Sequence, residues 1–138
     1  MRNFLLLVLI IIGSNVFGQS GGALNANQAA YDVKFYELDI VFDISYTQRS
    51  IDGSVLIRTE IIDPIDTLEL DLWDTFTVDS VLVQKNDNID SSMNFVHANK
   101  KLKVRIPGSS SAGDIVSARV YYHGTPRTAS YPPWDDGF

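Results

Sequence analysis

Only two imidazoles, His97 and His123, occur in this 138-residue chain, and there is no cysteine. That inventory narrows the chemistry at once. A zinc site of the His-Glu-x-x-His kind needs two imidazoles one helical turn apart, with a glutamate beside them as base. Neither histidine is followed by Glu, and both fall at the ends of strand-like segments. Thiolate metal sites and thiol nucleophiles are excluded outright. A Ser-His-Asp arrangement has hydroxyls and carboxylates to draw on, but no Gly-x-Ser-x-Gly elbow is present to hold the nucleophile.

Carboxylates gather in three places: Asp71/Asp74/Asp79, Asp87/Asp90 and Asp135/Asp136. A calcium loop needs oxygen ligands at fixed odd positions, a central Gly and a terminal Glu. Asn86-Asp87-Asn88-Ile89-Asp90 has the first spacing and neither later element, so it reads as a solvated turn. Paired carboxylates for glycoside hydrolysis need a cleft, whereas aspartates alternating with apolar residues mark the wet face of a strand. No Gly-rich phosphate loop opens a helix. The sequence therefore nominates no catalytic, cofactor-binding or metal-ligating residue.

The elements that would carry any site are strands. Tyr36, Leu38, Ile40, Phe42, Ile44 and Tyr46 alternate with Glu37, Asp39, Val41, Asp43 and Ser45. Period two sends one set inward and the other to water. After a turn at Thr47-Gln48-Arg49-Ser50, the residues Ile51, Gly53, Val55, Ile57, Thr59 and Ile61 share one face of a second strand. These two strands predict an antiparallel hairpin. Asp63-Pro64 ends it, and Leu68, Leu70 and Leu72 give a third strand. Residues 78–83 give a fourth, residues 95–97 and 102–106 bracket a tight turn at Ala98-Asn99-Lys100, and residues 115–122 form the last long strand. Seven or so short strands with turn residues between them predict an all-β, antiparallel β-sandwich.

Ahead of the strands, residues 1–18 have a positive start at Arg2, an apolar run over 4–12 and a small, polar end. This is the pattern of a cleavable secretory signal peptide, and the run is too short for the ~20 residues that span a bilayer. Its removal takes Lys+Arg from 11 to 10 against 17 Asp+Glu, so the net charge moves from −6 to −7. An acidic exported chain is a poor partner for nucleic acid or anionic lipid. Without cysteine it cannot be a lipoprotein, and no stable membrane span is expected after cleavage, which implies a periplasmic or extracellular location. Residues 19–30 read as a flexible lead-in, 31–126 as the β-sandwich, and 127–138 as a rigid Pro/aromatic segment. In that last segment Pro132, Pro133, Trp134 and Phe138 are the candidate contacts to a following domain.

The order of these pieces carries a resemblance. Tyr31-Asp32-Val33-x-x-Tyr36-x-Leu38-Asp39 is followed by Ile51-x-Gly53-x-Val55-x-Ile57, Leu68-x-Leu70-Asp71-Leu72 and Val78-x-Ser80-Val81. Val120-Tyr121-Tyr122-His123-Gly124-Thr125-Pro126 and Pro132-Pro133-Trp134-Asp135-x-Gly137-Phe138 close the series. Residues 31–138 thus resemble the N-terminal β-domain of the M1 family of zinc aminopeptidases, a saddle-like sheet domain, particularly in secreted bacterial members. In that family the β-domain precedes a catalytic domain bearing Gly-x-Met-Glu-Asn and His-Glu-x-x-His. Neither motif occurs here, so the resemblance places zinc, peptide substrate and catalysis in a C-terminal domain outside this chain. It implies no activity for residues 19–138 alone. A different class also suits the composition: a stand-alone secreted β-sandwich that binds carbohydrate or a protein partner through Trp73, Tyr131 and Trp134.

Overall fold

A computed structural model describes residues 23–45, 47, 49–86, 88–90 (backbone alone), 94–128 and 130. The expected signal peptide and the candidate contacts Pro132, Pro133, Trp134 and Phe138 lie outside the described residues. Among those described, eight strands form two antiparallel sheets. In the larger sheet, β1 (Tyr31–Asp43) pairs with β2 (Ser50–Ile61), β2 with β8 (Ile115–Gly124), β8 with β4 (Phe76–Lys85), and β4 with β5 (Asn88–Asp90). The smaller sheet runs β3 (Thr67–Asp71), β7 (Lys101–Arg105), β6 (Phe95–Ala98). The all-β class expected from the alternation is the class observed.

Register follows the apolar pattern, including its interruptions. Val55 and Val81 both face Val120, and Ile57 and Val83 both face Ala118, giving one continuous apolar face. Two bulges adjust it. One lies between Val33 and Phe35, the other between Val78 and Ser80. Each inserts a residue and resets which side chains point inward, so the inward sets run Val33 to Tyr36 and Val78 to Val81. The core forms where this face meets Leu68, Leu70, Leu102, Val104 and Ile106 of the smaller sheet. Its buried hydroxyl, Thr59 Oγ1, donates to the Val116 carbonyl at 2.9 Å. A polar group in such a core is tolerated only when paired in this way.

Turns close the hairpins with their own local chemistry. Asn99 and Lys100 both take positive φ, 55° and 60°, the pair of conformations a two-residue hairpin turn requires. At Gly53 a Cβ would stand 2.3 Å from the Asp39 carbonyl oxygen and 3.0 Å from Ile40 Cα, so glycine lets β1 and β2 approach.

Part of the stretch expected as a lead-in is structured. Ala26–Ala29 makes one helical turn, α1, where no helix is expected. Asn25 caps it: its side chain accepts from Gln28 N at 3.0 Å, and the Gln28 side chain returns to Asn25 N, a reciprocal box. The turn then anchors on β3. The Asn25 amide donates to Glu69, and Gln28 Nε2 donates to Asp71 Oδ2 at 3.1 Å. A short polar segment without periodicity gains order from such bonds rather than from burial of its own apolar face.

Candidate functional site

The two sheets differ in length, and the mismatch leaves a concave region beside the smaller one. Strands β1 and β2 run 13 and 12 residues, while β3 and β7 run five each. The smaller sheet therefore covers only part of the apolar face. Beside it a groove of ≈ 600 Å³ opens between Tyr36, Leu38, Val55 and Tyr122 on one wall and Leu70, Leu72 and Leu102 on the other. Leu24, Gln28 and Asp71 close one end. Tyr36, Leu38 and Phe42 stay exposed, Leu38 by 62%.

Of the three tyrosines lining the groove, Tyr36 is exposed and Tyr31 and Tyr122 are partly buried. Tyr31 donates to the Glu69 carbonyl at 2.8 Å, and burial, helped by nearby negative charge, pushes its phenol up to about 12. Tyr122 is also raised, by burial, and meets Phe76 edge to face with centroids 5.4 Å apart. Both phenols are thus held neutral. Their environment suits apolar contact, not proton transfer at ordinary pH. Glu69 alternates with Leu68 and Leu70 yet is only 5% exposed; Asn25 and Lys103, the latter at 3.5 Å, hold its carboxylate. A buried carboxylate is tolerable when its charge is paired in this manner.

The residues weighed for chemistry fall apart in space. His97 Nε2 lies 3.1 Å from the Leu72 carbonyl oxygen and serves the smaller sheet. His123 sits on the far face of the larger sheet, 2.9 Å from Asp79, which holds its imidazole above the ordinary range. Asp71 is bound to Lys101 and Gln28, and Asp74 accepts from Lys100 N at 2.8 Å. The trio Asp71/Asp74/Asp79 is therefore divided between two sheets. The side chains of Asp87 and Asp90, and all of Asp135 and Asp136, are outside the described residues. Among those described, no group of three or more His, Asp or Glu side chains is placed to hold a metal ion.

The far face carries charge instead. Asp39, Asp52 and Asp79 border a shallow depression of ≈ 430 Å³ with Tyr121 and Ser54. Arg119 donates to Ser54 Oγ at 3.4 Å and lies 2.7 Å from Glu37, whose carboxylate raises the guanidinium further. Trp73, weighed as a sugar platform, is half-buried, with Lys100 Nζ 4.2 Å and the Arg127 guanidinium 4.9 Å from its ring centre. Cations over the ring leave little open π-surface for a ligand. Tyr131 and Trp134 lie outside the described residues.

No protein-family model and no curated protein sequence matches the chain. Solved structures do. The chain is similar to an M1 zinc metallopeptidase from Deinococcus radiodurans, a mutant bound to a Tyr-Ser-Ala substrate, with TM-score 0.60 and 25% identity. The match covers 76% of this chain and 22% of that one. A two-domain M1 zinc metallopeptidase mutant bound to L-arginine matches at TM-score 0.60 and 24% identity, over 77% of this chain and 23% of that one. The chain thus spans under a quarter of the length of these peptidases, and its fold is one that they contain.

Proposed function

We propose that this chain is the non-catalytic N-terminal β-domain of an exported M1-type zinc aminopeptidase, an enzyme class that removes N-terminal residues from peptides. The observation that supports it most is the size of the structural match: three-quarters of this chain superposes on about a fifth of an M1 zinc metallopeptidase. In this reading the zinc and the catalytic glutamate belong to a domain that follows. When bound there, the metal activates water for attack on the first peptide bond. The domain described here contributes a surface. Its half-open groove offers Tyr36, Leu38, Val55 and Leu72 as apolar lining against which a neighbouring domain packs. The signal-like residues 1–18 route the protein out of the cytoplasm, to periplasm or medium.

The DNA downstream of codon 138 tests the reading. A frame continuing to Gly-x-Met-Glu-Asn and His-Glu-x-x-His supports it, and a stop codon counts against it. Biochemically, the extended protein should hydrolyse an aminoacyl anilide and lose that activity on chelation, while residues 19–138 alone, with zinc added, should not. Chelator-sensitive turnover by residues 19–138 alone defeats the assignment. So would tight glycan binding by a monomeric chain, the behaviour of a stand-alone sugar-binding module; the cations over Trp73 speak against that alternative.

A further inference from the structure

The groove beside the smaller sheet has the size of a site for a few side chains. Its ≈ 600 Å³ is that of a small-ligand cleft, whereas domains meet over broad surfaces. Its lining is particular as well. Tyr31, Tyr36 and Tyr122 stand among leucines, Leu72 on the opposite wall. Aromatic rings set in an apolar groove are what extended proline segments dock against. A proline brings no backbone donor to desolvate, and the polyproline conformation is ordered before it binds.

The chain passes this groove as it leaves β8. Tyr122 lines it, and Gly124 ends the strand. The Arg127 guanidinium then stands 4.9 Å from the ring centre of Trp73, the residue after Leu72. Residues 123–127 thus carry the backbone from one wall to the rim of the other. Residues 128–130 reach at most about 11 Å, which keeps Tyr131 within range of the groove. From there the sequence reads Tyr131-Pro132-Pro133-Trp134-Asp135-Asp136-Gly137-Phe138. In polyproline form Tyr131–Trp134 covers about 12 Å.

We propose that Tyr131-Pro132-Pro133-Trp134 docks into this groove of its own domain as an extended proline segment. Pro132 and Pro133 lie against the Tyr36 and Tyr122 rings, and the Trp134 indole lies against Leu72. Taking two carboxylates out of water beside apolar walls is costly, so Asp135 and Asp136 stay in solvent and the docking ends at Trp134. Gly137 permits the turn away. A tethered segment competes at an effective concentration in the millimolar range, so the groove fills from its own chain ahead of a second copy or a separate protein. The docking needs nothing beyond this chain. It rests on the peptidase reading only in making the segment the lead into a further domain, which then packs over a groove filled by its own linker.

NMR of the full chain tests this. Cross-relaxation should link the Leu72 methyls to the Trp134 indole, and the Tyr36 ring to the rings of Pro132 and Pro133. The double change Pro132→Ala with Pro133→Ala should weaken the first link, and Tyr36→Lys should do the same, with circular dichroism reporting the fold. A second readout adds the peptide acetyl-Tyr-Pro-Pro-Trp-amide. Trp134→Ala empties the groove, so that chain should bind the peptide at least about tenfold more tightly than the parent, whose own segment blocks it. Absence of the Trp134–Leu72 link overturns the proposal, as does equal peptide binding by the parent and Trp134→Ala chains. A link that vanishes on dilution also overturns it, since the segment then docks into a second copy. None of these readouts involves zinc or turnover. A stop codon after codon 138 counts against the peptidase reading and leaves the docking intact; an undocked segment leaves that reading as it stands.

Discussion

Val116 and Leu38 lie on the same face of the same sheet, one fully buried beneath the smaller sheet and the other 62% exposed. Their immediate strand chemistry is alike: each is an apolar position in a period-two pattern. The difference is reach. At ~3.3 Å per residue, β1 extends about 43 Å and β3 about 17 Å, so the second layer cannot cover the first. One half of the face is a core and the other half is a surface built like a core. Alternation specifies which side of a strand is apolar; the length of the opposing layer decides whether that side stabilises the fold or remains available to a partner.

Three measurements sharpen or break this contrast. Leu68→Ala and Leu102→Ala remove side chains that are fully buried between the sheets and should each cost about 3 kcal/mol in denaturant unfolding. Leu38→Ala should cost less than about 0.5 kcal/mol. Comparable losses at all three positions would mean that the open half is already packed. Gly53→Ala should cost about 2 kcal/mol, because the new methyl meets the Asp39 carbonyl across the β1–β2 pair. A neutral result there would show that β1 shifts freely against its neighbour.

The smallest effect concerns the far face. Asp79 raises the His123 pKa above 6.5, its ordinary value. The stabilisation from the charged pair is then complete below pH 6.5 and fades as pH rises through the folded value. Asp79→Asn should return the His123 titration, followed by NMR, toward the ordinary range. An unchanged titration would remove Asp79 as the cause. Because the pair is exposed, high salt should mute the difference.

Much of the fold was legible in the residues. Ile51, Gly53, Val55, Ile57, Thr59 and Ile61 share a face as their spacing indicates, and Asn99-Lys100 makes the tight turn between β6 and β7. Even the bulges leave a trace, since the inward apolar residues step by three at Val33–Tyr36 and Val78–Val81. What escaped was set by distant partners. Glu69 has the alternation of a wet-face residue and is buried because Asn25, 44 residues earlier in the chain, reaches it. The helical turn at Ala26–Ala29 carries a cap signal in Asn25 and Gln28, but no apolar period to announce it. The groove could not be read at all, because it arises from unequal strand lengths in two sheets.

One feature of the topology bears on how the molecule comes into being. Strand β8 is the last strand of the described chain and the middle strand of the larger sheet, bonded to β2 on one side and β4 on the other. Until it inserts, the β1–β2 hairpin and the β4–β5 pair share no ladder. Both joints close over long sequence separations, from residues 55 and 81 to residue 120. Such non-local pairing is slow compared with hairpin formation, because loop entropy is lost before the contacts repay it. The larger sheet therefore closes only when this one strand pairs on both sides. A nascent chain halted before Ile115 holds two unjoined ribbons, and the sheet appears only when its keystone arrives.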